Sequence, residues 1–344
     1  MNKKTTLIGG LLIIAILAII SFNYYSKIYG TNVKNDALIQ IPTGTSIEEL
    51  KTILTPYLED VESFEWVANK KKYATNIKSG QYSIKAAANN NELVNLLRSG
   101  KQTPVKLSFN NQHQLENLAG RIAIQIEADS ISLLKAFKDP EFLKQNDFNT
   151  KTALAMYIPN SYQVYWNTSA KAFRNKMLQE YKRFWNNNNR LKKAKSQNLS
   201  PIEVISLAAI VQKETAHIPE RPTVAGLYLN RYHHKWALQS DPTVIFALKE
   251  KYGQAFEVKR VLTKDLSIDS PYNTYKYRGI PPGPIAMPDI SSIDAVLNPK
   301  KHNYYYMCAS IEDFGKHSFA KSLSEHNRNA RKYQQWLSKQ GVNR

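Results

Sequence analysis

One glutamate stands where chemistry could use it. From Ser200 to Asp241 the chain reads SPIEVISLAAIVQKETAHIPERPTVAGLYLNRYHHKWALQSD. Ser200-Pro201-Ile202-Glu203 is a helix start: a capping Ser, Pro in the first turn, and Glu three residues on to close a capping box. Glu203, Leu207, Ile210, Val211 and Glu214 then fall on one side of the helix at steps of three and four. A carboxyl group that continues a buried stripe is disfavoured as an anion. Its pKa is therefore expected to rise toward the range of a general acid. The alternative is a partly exposed Glu paired with Lys213 or Arg221. Spacing alone favours that second reading, because most glutamates are solvated.

Other chemistry finds less support. His233-His234 could ligate a metal, but adjacent helical residues point apart, and a solvated loop accounts for them. No Cys/His cluster has structural-zinc spacing, and no Gly-rich phosphate loop is present. Cys308 is the single cysteine, so no internal disulfide is possible; it sits in the apolar run YYYMCAS and reads as core. No metal and no cofactor is expected.

The elements that must hold Glu214 in place follow from the pattern. Helices are expected over Pro222 to Arg231 and from Asp241-Pro242 onward, the latter by the same cap-then-Pro logic. Ser270 to Asp289 is rich in Pro, Gly and Tyr and reads as irregular. A strand at Tyr304 to Cys308 precedes a last helix from about Leu323 to Lys339. Upstream, Ala172 to Lys195 is a strongly basic helical stretch, read by default as a solvated face. Residues 128–150 look helical and polar, and the domain boundary is placed there.

Before that boundary a strand–turn–helix pattern recurs three times. Ala37 to Ile41 leads to Ser46–Leu54 with a Thr45/Glu48 capping box; Gly80 to Lys85 leads to Asn91–Arg98, closed by Gly100; Val105 to Phe109 leads to Leu115–Ile126. The pattern suggests a small α+β module.

Charge and hydropathy locate the chain. Its 344 residues suffice for two domains and an anchor, and 42% hydrophobic residues suffice for packed cores. The net charge of +19 points to an acidic partner or surface. Leu7 to Phe22 is uncharged, and with its flanks reaches the roughly 20 residues that span a bilayer as a helix. Lys3 and Lys4 suit the cytoplasmic side, and Tyr24 and Tyr25 the far interface. SFNYYSKIYG has no small-x-small cleavage site, so an uncleaved single-pass anchor is expected rather than a signal peptide. With the remainder outside the cytoplasm, nucleic acid is not an expected partner.

Several short motifs share one order: Lys213-Glu214-Thr215, Asn230-Arg231, Leu238-Gln239-Ser240-Asp241-Pro242-Thr243, Tyr272-Asn273-Thr274-Tyr275 and Gly279-Ile280-Pro281-Pro282-Gly283-Pro284-Ile285. Asn298-Pro299, His317-Ser318-Phe319 and His326-Asn327 continue the series. In this order the chain resembles the endolytic murein transglycosylase family (YceG-like). Met156 to Trp166 matches a family segment less well. Leu154 and Ala155 stand where Glu and Gly are expected, and Asn160 replaces Asp. Tyr157, Tyr162, Tyr165 and Trp166 there suit either sugar stacking or an aromatic core.

The resemblance implies an α+β fold: a cytoplasmic N-terminus (1–6), a transmembrane anchor (7–25), a stalk (26–36), a LysM-like module (37–127), a linker (128–150) and a catalytic domain (151–344). It implies a lyase that cuts nascent glycan strands between N-acetylmuramic acid and N-acetylglucosamine and leaves 1,6-anhydro ends. Partners would be peptidoglycan glycan strands, whose peptide carboxylates fit the positive charge, the inner membrane and the synthases that polymerise the strands. Glu214 would serve as acid and then base. Gln239 would meet an acetamido group or the Glu214 carboxyl. Tyr272, Asn273 and Tyr275 would contact substrate, Asn273 through its amide. Asp241 is either a second carboxylate, which would permit hydrolysis, or a helix cap. Gly283 gives a prolyl loop room for close backbone approach. His317 and His326 are read as structural. A wall-binding scaffold and a two-carboxylate muramidase are the competing functions.

Overall fold

The computed structural model describes residues 3–340; the first two residues of the expected cytoplasmic segment and the last four of the expected catalytic domain lie outside it. The fold is α+β, with fourteen α-helices and three two-stranded sheets among the described residues. The chain divides into two compact units. One takes the chain up to Leu107 together with Ala123–Ala128 and Tyr162–Ser169; the other takes Ser108–Ile122, Asp129–Ser161 and the chain from Ala170 on.

The first unit begins with α1 (Lys3–Tyr29) and continues through β1 (Ala37–Ile41), α2 (Ile47–Leu54), α3 (Val61–Lys70), β2 (Gly80–Ile84) and α4 (Asn90–Ser99). Leu7–Tyr29 is the one described helix stretch long and apolar enough to cross a membrane. The end of α1 is tied to the module. Tyr24 stacks on Trp66 with centroids 5.3 Å apart, and Asn90 Nδ2 donates to the Lys27 carbonyl at 2.9 Å. Residues 26–36, expected as a polar stalk, thus belong to the packed structure: Asn32 and Val33 are buried, and Asn32 donates to Asn90 Oδ1 and to the Asp60 carbonyl. A buried amide must find such partners, which fixes this turn of chain.

β1 pairs antiparallel with β2, Ala37 opposite Ile84 and Ile41 opposite Gly80. The capping box before α2 is Ser46 with Glu49, one residue beyond the expected pair. The third strand, β3 (Val105–Phe109), joins β4 (Asn160–Val164) rather than the first sheet. The three strand–helix copies therefore do not build one sheet. α3, capped by Asp60, is an additional helix that the repeat pattern did not contain.

The second unit holds α5 (Leu115–Ala123, in large part), α6 (Ser130–Phe137), α7 (Pro140–Gln145), α8 (Ala170–Asn186), α9 (Arg190–Ser196), α10 (Pro201–Glu214), α11 (Arg221–His233), α12 (Asp241–Tyr252), α13 (Ile290–Leu297), β5 (Tyr306–Ala309), β6 (His317–Ala320) and α14 (Leu323–Lys339). Residues 128–150, expected as a linker, form α6 and α7. Phe137 there packs its ring 4.8 Å from Tyr157 and 6.1 Å from Phe173. The basic stretch is two helices because Asn188 and Asn189 take left-handed backbone angles, at φ 56° each, and interrupt it.

α10 is the spine of this unit. Its capping box is Ser200 with Glu203, as the sequence spacing requires. Every residue from Val204 to Val211 is buried, so the helix is enclosed on all sides rather than on one stripe. α9, α11, α12 and α13 surround it. Gln212 Oε1 accepts from the Asp289 N–H at 2.5 Å and so fixes the start of α13. Arg221 binds Asp289 and Ser291, and Arg190 binds Asp294. The Asn230-Arg231 pair holds the chain before β5: Asn230 donates to the carbonyls of His302 and Tyr304, and Arg231 to those of Tyr305 and Leu238.

The prolyl loop is anchored by a close approach at Gly283. A Cβ there would lie 2.1 Å from the Lys151 carbonyl oxygen. Backbone, not a flexible side chain, occupies that space, so overpacking is severe. Gly283→Ala is expected to destabilise the protein by about 1–3 kcal/mol, read as a lower midpoint in a denaturant titration.

Candidate active site

Glu214 is the last residue of α10, and its side chain reaches a cavity of about 210 Å³. Two donors meet one of its oxygens. Tyr228 Oη, from α11, donates to Oε1 at 2.6 Å, and Ser240 Oγ donates to the same oxygen at 2.5 Å. Among the described residues Oε2 takes no hydrogen bond, so it is the oxygen available to a ligand. Neither cation of the plainer sequence reading pairs with it: Arg221 is committed to Asp289 and Ser291, and Lys213 lines a different cleft.

The electrostatics shift the balance toward the neutral acid. Burial raises the Glu214 pKa, and the Asp241 charge adds to that rise. The Ser240 and Tyr228 hydrogen bonds and the nearby His317 oppose it without overturning it. The helix C-terminus also disfavours a carboxylate at this position. Tyr228 is itself pushed well above the usual phenol range, by burial first and by Glu214 next, and so remains a donor.

Ser240 is placed by its neighbours. It precedes α12, yet its hydroxyl does not cap that helix; it is spent on Glu214. Asp241 is the first residue of α12, not its cap. The Ser240 N–H donates to Thr274 Oγ1 at 3.0 Å, and the Gln239 N–H donates to the Thr274 carbonyl at 3.1 Å. Gln239 holds a left-handed backbone, φ 51°, in the turn that aims Ser240 at the carboxyl. Strain of this kind persists only where the surroundings impose it.

Of the residues expected to contact substrate, Gln239, Asp241 and Tyr275 line the same cavity as Glu214. Tyr275 Oη donates to Asp241 Oδ1 at 2.6 Å. Asn273 sits elsewhere, with no exposed surface. Its Nδ2 donates to the Leu266 and Ile268 carbonyls, and its Oδ1 accepts the Tyr275 N–H. Tyr272 is buried against Phe246, centroids 4.5 Å apart. These two hold the loop that carries Thr274 and Tyr275.

His317, expected as structural, also lines the cavity, at the start of β6. Buried Glu220 accepts from its N–H at 2.7 Å and faces its Nδ1 at 3.0 Å. Cys308, expected in the core, lies half-exposed on the cavity wall with Met307, because the β5–β6 ribbon has only two strands. His326 stacks on Tyr306 and does not line the cavity. Tyr228 was not singled out by spacing; it lies in the apolar run AGLYLNR, where a buried phenol looks like core.

The aromatic segment upstream is mostly core. Tyr157 and Tyr162 are buried, whereas Tyr165 is exposed. Leu154 and Ala155 are likewise buried, and Asn160 is exposed at the start of β4.

Comparison with known proteins agrees with this layout. The model of the YceG-like family matches residues 39–332. The endolytic murein transglycosylase of Bacillus subtilis (strain 168) is 29% identical over 318 residues, which are 87% of this chain and 85% of that protein. The endolytic murein transglycosylase of Streptococcus pneumoniae serotype 2 is 27% identical over 327 residues, covering 87% of this chain but 58% of that protein. The crystal structure of a putative yceG-like protein from Listeria monocytogenes superposes with a TM-score of 0.55 at 28% identity, over 86% of this chain and 98% of that one. With the family model spanning most of the chain, the protein belongs to the YceG-like family.

Proposed function

We propose that this protein is a membrane-anchored lytic transglycosylase that cuts peptidoglycan glycan strands internally, between N-acetylmuramic acid and N-acetylglucosamine. The observation that carries the reading is Glu214 itself: a partly buried carboxyl, raised in pKa, that lines a cavity, with Oε1 held by Tyr228 and Ser240 and Oε2 without a hydrogen bond among the described residues. The names of the Bacillus and Streptococcus relatives support the same activity.

The proposed chemistry needs one carboxyl group. Glu214 Oε2–H gives its proton to the bridging oxygen as the glycosidic C–O bond breaks. Positive charge develops on the muramic acid ring, and Glu214 is left as a carboxylate. That carboxylate then removes the proton of the 6-hydroxyl, whose oxygen attacks C1 and closes the 1,6-anhydro ring. Glu214 is protonated again, and no water is consumed. Tyr228 and Ser240 stabilise the intermediate carboxylate with two hydrogen bonds, each stronger for the charged form. Gln239 offers an amide to an acetamido group, and the Tyr275–Asp241 pair forms an adjacent polar wall.

The other parts of the reading follow from position. The stretch Leu7–Tyr29 would span the inner membrane, with Lys3 and Lys4 in the cytoplasm and the rest of the chain on the outer side. Anchoring would keep the site close to newly polymerised strands, and near the synthases, at high effective concentration. The α+β module after the anchor would act as a LysM-like contact to glycan. A muramidase is the second reading, because Asp241 lines the same cavity as Glu214 and a carboxylate pair suffices for hydrolysis.

Mass spectrometry of products from purified glycan strands separates these readings. The full chain is expected to release 1,6-anhydro-ended fragments, and Glu214→Gln none. Reducing-end fragments that disappear in Asp241→Asn would replace the lyase with the muramidase. Binding of strands without cleavage by either protein would leave a wall-binding scaffold.

The two donors to Oε1 have a kinetic signature. Tyr228→Phe and Ser240→Ala are each expected to lower kcat roughly 10- to 100-fold, the worth of about 1.5–3 kcal/mol for a hydrogen bond to a charged group. KM should change little. Steady-state kinetics on one defined glycan oligomer checks this; an unchanged kcat in both variants would remove Tyr228 and Ser240 from the mechanism.

A further inference from the structure

A second cleft, of about 390 Å³, adjoins the same two elements that frame the active site. Lys213 precedes Glu214 at the end of α10, and Pro242 follows Asp241 at the start of α12; both line this cleft rather than the catalytic cavity. Its volume lies in the range of ligand clefts. The reaction proposed above makes no use of it.

Three basic groups converge there: His113, Lys213 and Lys249. Among the described residues none of the three is paired with a carboxylate. Burial lowers the pKa of Lys213, and Lys249 lowers it further; burial also lowers His113, helped by both lysines. Like charges facing one partly desolvated space raise each other's free energy, and a bound anion would relieve that. The rest of the wall has a different character. Gln114, Asn117 and Gln254 offer amides, and Ile245, Phe246 and Ile285 offer apolar surface. Cations, amides and small apolar contacts in one groove match a short peptide that carries free carboxylates. A bare phosphate would use only the cations.

We propose that this cleft is the subsite for the peptide stem of the glycan strand, with Lys213 and Lys249 receiving a stem carboxylate. The proposal rests on the transglycosylase reading, in which the substrate carries such a stem on its muramic acid residues. The subsite would make the enzyme select strands whose stems still have free carboxylates, as newly made strands do. The α10 terminus and the α12 start would then report stem binding to the catalytic cavity directly, because each element serves both spaces.

The test has a binding arm and a cleavage arm, both on the full chain in detergent. In the first, the free stem pentapeptide is titrated against the protein and followed by NMR, beside the same peptide with its carboxylates amidated. The wild type is expected to bind the free peptide at least about tenfold more tightly, equivalent to about 1.4 kcal/mol. Lys249→Glu should abolish the difference and Lys249→Arg should keep it, with thermal unfolding confirming that both variants are folded. In the second arm, kcat/KM is compared on peptide-bearing strands and on strands stripped of peptide by an amidase. A preference of about tenfold for the former is expected, falling toward one in Lys249→Glu. Equal binding of free and amidated peptide, or a preference that survives Lys249→Glu, would overturn the proposal. So would Lys249-dependent binding to phosphatidylglycerol vesicles with no binding of the peptide, which would make the cleft a phosphate surface. Peptide binding with neither strand cut would leave the cleft assignment standing and remove the transglycosylase reading.

Discussion

The structure of the second unit depends on enclosing one carboxyl group. α10 is buried on every side from Val204 to Val211, and it ends on Glu214. A carboxylate at that point would face both desolvation and the negative end of the helix, so the neutral acid is favoured. Ionisation costs stability here. Because the pKa is raised on folding, this contribution is fully present below the unfolded pKa and is lost as pH rises through the folded one. Tyr228 and Ser240 limit that cost through Oε1, and in the proposed reaction they would let the anion exist briefly.

Much of the surrounding architecture exists to aim those two donors. Tyr228 is fixed by α11, which Asn230 and Arg231 tie to the chain ahead of β5. Ser240 is fixed by the left-handed Gln239 and by Thr274. Thr274 is fixed in turn by the loop that Asn273 holds together through three hydrogen bonds. Gly283 lets the prolyl segment of that loop approach Lys151 closely enough to lock it. Residues that carry the family motifs are thus divided between a small group at the cavity and a larger group that supports it. Preorganisation of this kind lets a single acid be worth several orders of magnitude in rate.

Local signals in the sequence were legible where the physics is local. The Ser200/Glu203 capping box and the start of α10 follow from adjacent residues, and the structure has both. The exposed apolar helix near the N-terminus was equally plain. Long-range pairing was not. Nothing near Val105–Phe109 says that its partner is Asn160–Val164, so the three strand–helix copies read as one small α+β module. Asn273 looked like a ligand-binding amide because it lies on an irregular loop; only the fold shows that its three bonds go to backbone. Tyr228, Ser240 and His317 come from three separate elements, and their convergence on Glu214 has no signature in spacing. Ser240 was further disguised by preceding an Asp-Pro pair, which reads as a capping site.

Direct titration of Glu214 tests the central claim, that the fold raises the pKa of this carboxyl above that of an ordinary glutamate and so toward the range of a general acid. The full chain would be labelled with ¹³C at glutamate carboxyls, and the Glu214 signal assigned by its loss in Glu214→Gln. The account predicts a midpoint above the ordinary glutamate value of 4.5. A midpoint at or below that value would mean that the hydrogen bonds and His317 outweigh burial, and Glu214 could then not serve as the general acid.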